Sequence, residues 1–166
     1  MLLLQISKLE AFVTLNFLSM AQRKYLTKEQ ALQKAKHFCA YQERCHTEVK
    51  EKLYPLGLWK KDVEELISQL IEENYLNEER YAIAFAGGKF RIKHWGRVKI
   101  KYELQQKKIS ACCIKKAMKE IDDTGYKKTF LQLAEGKWGS LKSEKNIFAR
   151  KRKTGVICCR KGLSMN

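Results

Sequence analysis

The chain repeats itself about 51 residues on, and that repeat restricts it to a serial fold. Val49 and Leu53 fall on Ile100 and Leu104, and Gly57-Leu58 falls on Lys108-Ile109. Val63, Ile67 and Leu70 then fall on Ile114, Met118 and Ile121. A third, degraded copy is marked by Gly162-Leu163, 105 residues after Gly57-Leu58. A period of roughly 40 to 50 residues belongs to arrays of small helical units, each too small to bury a core alone. Such arrays present an extended surface and rarely house a catalytic cleft.

The spacing of apolar residues supports helices throughout. There is one proline among 166 residues, which suits helices and disfavours a many-turned sandwich or barrel. Thr27 to Gln30 has the spacing of a capping box, and a helix with Leu32, Ala35, Phe38 and Cys39 on one stripe follows to about Glu43. A second helix runs from about Thr47 to Tyr54 and is stopped by Pro55 and Gly57. The third, about Lys60 to Asn74, places Val63, Leu66, Ile67, Leu70 and Ile71 on one face and Glu64, Glu65, Glu72 and Glu73 on the other.

Asn77 caps the next unit, with Glu78 and Glu79 in the first turn, where the helix dipole favours them. Gly87-Gly88 interrupts that helix, either for a close helix contact or as a flexible point. The corner Arg91 to Arg97 leads to a helix to about Lys107, and Ser110 is placed to cap the one after it. Asp122 to Gly125 forms the next junction. A helix from about Tyr126 to Ala134 follows, then a Gly/Lys/Ser-rich connection over Glu135 to Asn146 and a last helix to Lys161.

The expected fold is all-α. Residues 1–26 form a leader, 27–76 repeat one, 77–121 repeat two, and 122–166 a partial repeat three without its third helix. The apolar run Ala11 to Ala21 is too short to span a bilayer and makes a poor signal peptide, so an upstream extension before a start at Met20 is the favoured reading.

Charge is unevenly spread. The net +16 comes almost wholly from the last two units: residues 77–121 hold 12 Lys and Arg against 4 Asp and Glu, residues 122–166 hold 11 against 4, and residues 1–76 hold 11 against 10. A polyanion is the natural partner, either a nucleic acid or a protein surface that carries one. The candidate contacts are Arg91, Lys93, Arg97, Lys99, Lys101 and Lys108 in unit two, and Arg150, Lys151, Arg152, Lys153, Arg160 and Lys161 in unit three. Guanidinium forks suit phosphate and carboxylate oxygens. Arg97 and Lys101 stand one turn apart at the rim of the Ile100–Leu104 stripe, where they can face a ligand.

No catalytic or metal constellation emerges. The histidines are scattered, and no G-x-x-x-x-G-K-[ST] loop accompanies Gly87-Gly88-Lys89. The six cysteines lack C-x-x-C spacing, so no metal or cofactor and no disulfide framework is expected, which suits a reducing cytoplasm. Cys39 and Cys112 read as core or near-core residues. Trp59, Trp95 and Trp138, all near unit corners, read as packing anchors.

Three pieces in order carry a family resemblance: Tyr75-Leu76-Asn77-Glu78-Glu79-Arg80-Tyr81-Ala82, then Trp95-Gly96-Arg97-Val98-Lys99-Ile100, then Glu103-Leu104 with Lys107-Lys108-Ile109. Together they resemble the RecX family of bacterial RecA regulators over about residues 27 to 163. The resemblance implies tandem three-helix repeats in an elongated, curved body. It also implies binding along the RecA–DNA filament and inhibition of recombinase, ATPase and strand-exchange activities. The accompanying expectation is a non-enzymatic monomer with weaker, salt-dependent affinity for single- and double-stranded DNA. Gly155, Cys158 and Cys159 fall where the resemblance leads one to expect larger apolar residues. The residues alone leave two other readings open. One is a helix-turn-helix DNA binder reading with Ser110 to Glu120, although that helix offers lysines and no Asn, Gln or Arg for base edges. The other is an RNA-binding helical repeat.

Overall fold

The structure, a computed structural model, describes residues 26–164. The leader and the Met20 start therefore lie outside the described residues, apart from Leu26. Eight α-helices follow in order among the described residues: α1 (Lys28–Tyr41), α2 (His46–Leu53), α3 (Lys60–Glu72), α4 (Glu78–Lys93), α5 (Arg97–Gln106), α6 (Ala111–Lys119), α7 (Asp123–Ser140) and α8 (Ile147–Lys161). A short 3₁₀ turn, Tyr54–Leu56, closes α2. The first three helices make unit one, the next three unit two, and α7 with α8 unit three.

Local chemistry sets most of the boundaries. Thr27 and Gln30 form the reciprocal capping box expected of them. Asn77, Asp122 and Asn146 cap α4, α7 and α8 by accepting backbone N–H bonds. Ser110 stands at the cap position of α6, but its hydroxyl caps nothing; its own N–H donates to the Glu78 carboxylate instead. The helix α4 runs unbroken through Gly87-Gly88. Gly87 meets no neighbouring helix there; a Cβ on it would lie 2.8 Å from the guanidinium of Arg91, one turn along the same helix.

The repeat has a shared turn. Gly57 (φ 84°), Lys108 (φ 59°) and Gly162 (φ 69°) are all left-handed, each just past the second helix of its unit. The next residue points inward in the second and third copies, where Ile109 and Leu163 are buried. In those copies Ile109 and Leu163 donate back to the carbonyls of Leu104 and Cys158, which closes the helix end. Val49 and Leu53 in unit one and Ile100 and Leu104 in unit two are fully buried at equivalent positions. Burying each such side chain contributes about 1.5–3 kcal/mol. Counted back from the turn, Thr154 and Cys158 take those places in unit three. Cys158 is buried, while Gly155 and Cys159 face solvent, so only Cys158 of the three residues singled out stands in an apolar site.

Two further expectations fail for tertiary reasons. The Gly-rich stretch Glu135 to Ser140 is helical, and the connection shrinks to 141–146. Two glycines there cost about 1 kcal/mol each in helix stability, but α8 grips that last turn. Arg150 donates through Nε and Nη2 to the Trp138 carbonyl and lies 4.0 Å from the Trp138 ring. Cys112 is exposed on α6, whereas Cys39 is buried as expected.

The apolar residues form two cores in series. One gathers Ala31, Ala35, Val49, Leu53, Val63, Leu66 and Leu70 within unit one. The other runs continuously through units two and three, from Tyr81 and Ala86 through Ile100, Leu104 and Ile121 to Tyr126, Cys158 and Leu163. Cys45 is the one buried unit-one residue in the second core. No helix among the described residues is long and apolar enough to cross a membrane.

Candidate polyanion-binding interface

The basic residues divide into those the fold uses and those it leaves outward. Arg97 is used. As the first residue of α5, it donates through Nη2 to the Ile121 carbonyl (2.7 Å) and to Asp123, and its guanidinium lies 4.7 Å from the Tyr126 ring. It therefore ties unit two to the start of unit three, and it does not stand free at a rim. Arg150 is held by Trp138 as described. Lys161 donates to the Lys93 carbonyl at 2.8 Å, Lys153 pairs with Glu144, and Lys99 sits 4.5 Å from the Trp95 ring.

The rest of the expected cations point outward. Arg91, Lys93, Lys101, Lys108, Lys151, Arg152 and Arg160 are exposed, and among the described residues none of them makes a side-chain ion pair or hydrogen bond. Lys127 and Lys128, exposed on α7, belong with them and were missed in the sequence. Their signal was the pair itself, set in the most basic half of the chain. A free ammonium or guanidinium keeps all its donors for a partner, whereas a pinned one must first give up a bond. The usable positive charge thus spans both basic units, while Arg97 and Lys161 tie those units to each other.

Charge on the remaining surface is more balanced. Lys28–Glu65, Lys36–Glu73 and Lys50–Glu64 pair within unit one. Those bonds hold the three carboxyls below their ordinary range. On α6, Lys116 bonds Glu79 of α4, which raises its pKa and takes one lysine away from any base-reading role for that helix.

The tryptophans differ. Trp95 is half-buried beneath Lys89 and Lys99, and Trp138 is half-buried against Arg150, so both anchor corners. Trp59 is 81% exposed at the start of α3 and anchors nothing, against expectation. It ends a turn whose apolar work is done by Leu58 and Leu56. Among the described residues no three His, Cys, Asp or Glu side chains gather as a metal site.

Comparison with known proteins places the fold among solved and curated relatives. The profile of the RecX second three-helix domain matches residues 77–118, which is unit two from its cap to α6. Regulatory protein RecX of Clostridium perfringens (strain SM101 / Type A) is 33% identical over 99 residues, covering 60% of this chain and 46% of that protein. Regulatory protein RecX of Clostridium tetani is 32% identical over 116 residues, covering 69% of this chain and 53% of that protein. The chain thus spans about half the length of the curated relatives it matches. The fold is shared with a crystal structure of RecX from Lactobacillus salivarius at a TM-score of 0.72 and 23% identity, over 82% of this chain and 88% of that one. A second crystal structure of regulatory protein RecX gives 0.74 and 19%, over 82% of this chain and 67% of that one. Unit two thus resembles the second three-helix domain of RecX, and the all-helical tandem fold is shared with solved RecX structures along most of this chain.

Proposed function

We propose that this protein is a non-enzymatic regulator that docks on the RecA–DNA filament through the free cations of units two and three and inhibits the recombinase. The observation that carries the reading is the excess of positive charge in those two units, 12 Lys and Arg against 4 Asp and Glu in residues 77–121 and 11 against 4 in residues 122–166, compared with 11 against 10 in residues 1–76, on a fold shared with RecX structures. A filament groove offers phosphates and protein carboxylates along its length. A serial array with charge on two successive units matches an extended polyanion better than a single point site. Lys93, Lys101 and Lys108 act from unit two, and Lys151, Arg152 and Arg160 from unit three. Arg97 and Lys161 contribute by holding those units in register.

The test compares bare duplex DNA, bare single strands and nucleotide-stabilised RecA filaments at several salt concentrations. A filament regulator prefers the filaments and slows RecA ATP hydrolysis. Equal affinity for bare DNA, with a slope near −0.9 per phosphate neutralised, identifies a general DNA binder instead. Replacing Lys101, Lys108, Lys151 and Arg152 by Gln leaves the fold's own bonds untouched. Inhibition that survives this change intact overturns the assigned face.

A further inference from the structure

The two junctions between units are built from different materials. Units two and three share one apolar core, with Tyr126 and Leu163 buried in it. Their backbones meet without side chains between them: Gly96 donates to the Lys161 carbonyl at 2.7 Å, and a Cβ on Gly96 would stand 2.1 Å from the Gly162 oxygen. The rings of Phe90 and Tyr126 stack at 6.1 Å, and Arg97 clamps the link between α6 and α7.

The junction of units one and two is polar. Thr47 donates to the Lys107 carbonyl at 3.1 Å. Glu48 accepts from Lys107 Nζ at 2.6 Å and from the Tyr81 hydroxyl at 3.1 Å, with Arg44 3.8 Å away. Arg80 bonds both Glu43 and Asn74 across the connecting segment. The apolar contribution is the single peg of Cys45. Two open grooves flank this contact. One, of about 480 Å³, is lined by Glu48, Phe85, Ile92 and Trp95; the other, of about 430 Å³, by His46, Ile67, Ile71 and Lys108; Lys107 lines both. Open space on two sides of a thin polar contact leaves room to rotate, and small polar interfaces between units permit such motion where continuous cores forbid it.

We infer that the protein contains a hinge between units one and two: unit one swings about the Cys45–Thr47 contact, Glu48 latches it to Lys107 and Tyr81, and units two and three move as one rigid block. The pivot in the backbone is Leu76–Asn77, the step between the last core residue of unit one and the cap of α4. The inference does not depend on what the basic face binds. Its consequence is that the basic block is pre-formed, while the near-neutral unit one is free to settle separately.

Distance distributions between pairs of spin-labelled non-canonical residues on the full chain test it. Labels at exposed Tyr41 and Tyr102 span the first junction, and labels at Tyr102 and Phe148 span the second. The first distribution is expected to be roughly twice as broad as the second. Glu48→Gln with Lys107→Met broadens the first further and leaves the second, and the helical circular dichroism, unchanged. Equal widths in the unmodified protein overturn the hinge, whatever the variant does. A first distribution that the double variant does not alter overturns Glu48 as its latch.

Discussion

Replacing Gly96 by Ala puts a methyl group where no atom can stand. The new Cβ would lie 2.1 Å from the Gly162 oxygen, 2.4 Å from its carbonyl carbon and 2.6 Å from the Leu163 nitrogen. All three are backbone atoms in a tight left-handed turn, so no side chain can move aside. Ordinary contact begins at 3.4 Å, and the end of α8 must therefore retreat by about 1.3 Å or more. The retreat breaks the bond from Gly96 to Lys161, worth about 1 kcal/mol. It also draws Leu163, 4% exposed, out of the shared core, forfeiting about 1.5–3 kcal/mol if it is fully released. The docking of α8 on unit two is thus expected to weaken by about 3 kcal/mol, or roughly a hundredfold in the local opening equilibrium. Hydrogen exchange read peptide by peptide measures this. Protection over residues 147–164 falls by about that factor, while residues 28–72, in their own core, keep theirs. Unchanged protection in α8, or an equal fall in all three units, refutes the packing account.

Gly155→Ala is the control: nothing lies within 4 Å of its position on α8, and the variant is expected to gain about 1 kcal/mol in urea unfolding from helix propensity. Lys108→Gly relieves a left-handed residue with a side chain (φ 59°) and is expected to raise stability by about 1 kcal/mol, at the cost of one free cation on the binding face. Burial works against the charge of Glu48, but Lys107, Tyr81 and Arg44 outweigh it and hold the carboxyl below its ordinary range. A lowered folded-state pKa means stability that is complete above the unfolded value and lost as pH falls through the folded one. Unfolding midpoints measured from pH 7 to 3 should therefore fall less steeply for Glu48→Gln, which also starts less stable at pH 7.

Much of the fold was legible because it rests on local rules. The caps at Thr27, Asn77 and Asp122 are side chains bonding backbone groups three residues away, so spacing alone reveals them. The shared turn at Gly57, Lys108 and Gly162 was visible through its period. The site was less legible. Arg97 and Lys101 look alike on a helical wheel, yet Arg97 is bound to unit three and Lys101 is free. Nothing within four residues distinguishes them, since the partners of Arg97 lie 24 and 26 positions on. Trp59 and Trp95 show the same divergence, one exposed and one packed under lysines.

The sequence by itself determined the unit of construction, the helix starts and the basic bias of the last two units, because each depends on periodicity, capping or composition. Only the tertiary structure decided which cations stay free, why Glu135 to Ser140 remains helical, and where the array is stiff. Those outcomes depend on contacts between residues far apart in the chain: Arg150 on Trp138, Gly96 against Gly162, Glu48 between Lys107 and Tyr81. Whether a junction is apolar or polar follows from which surfaces meet, and no window of neighbouring residues contains both.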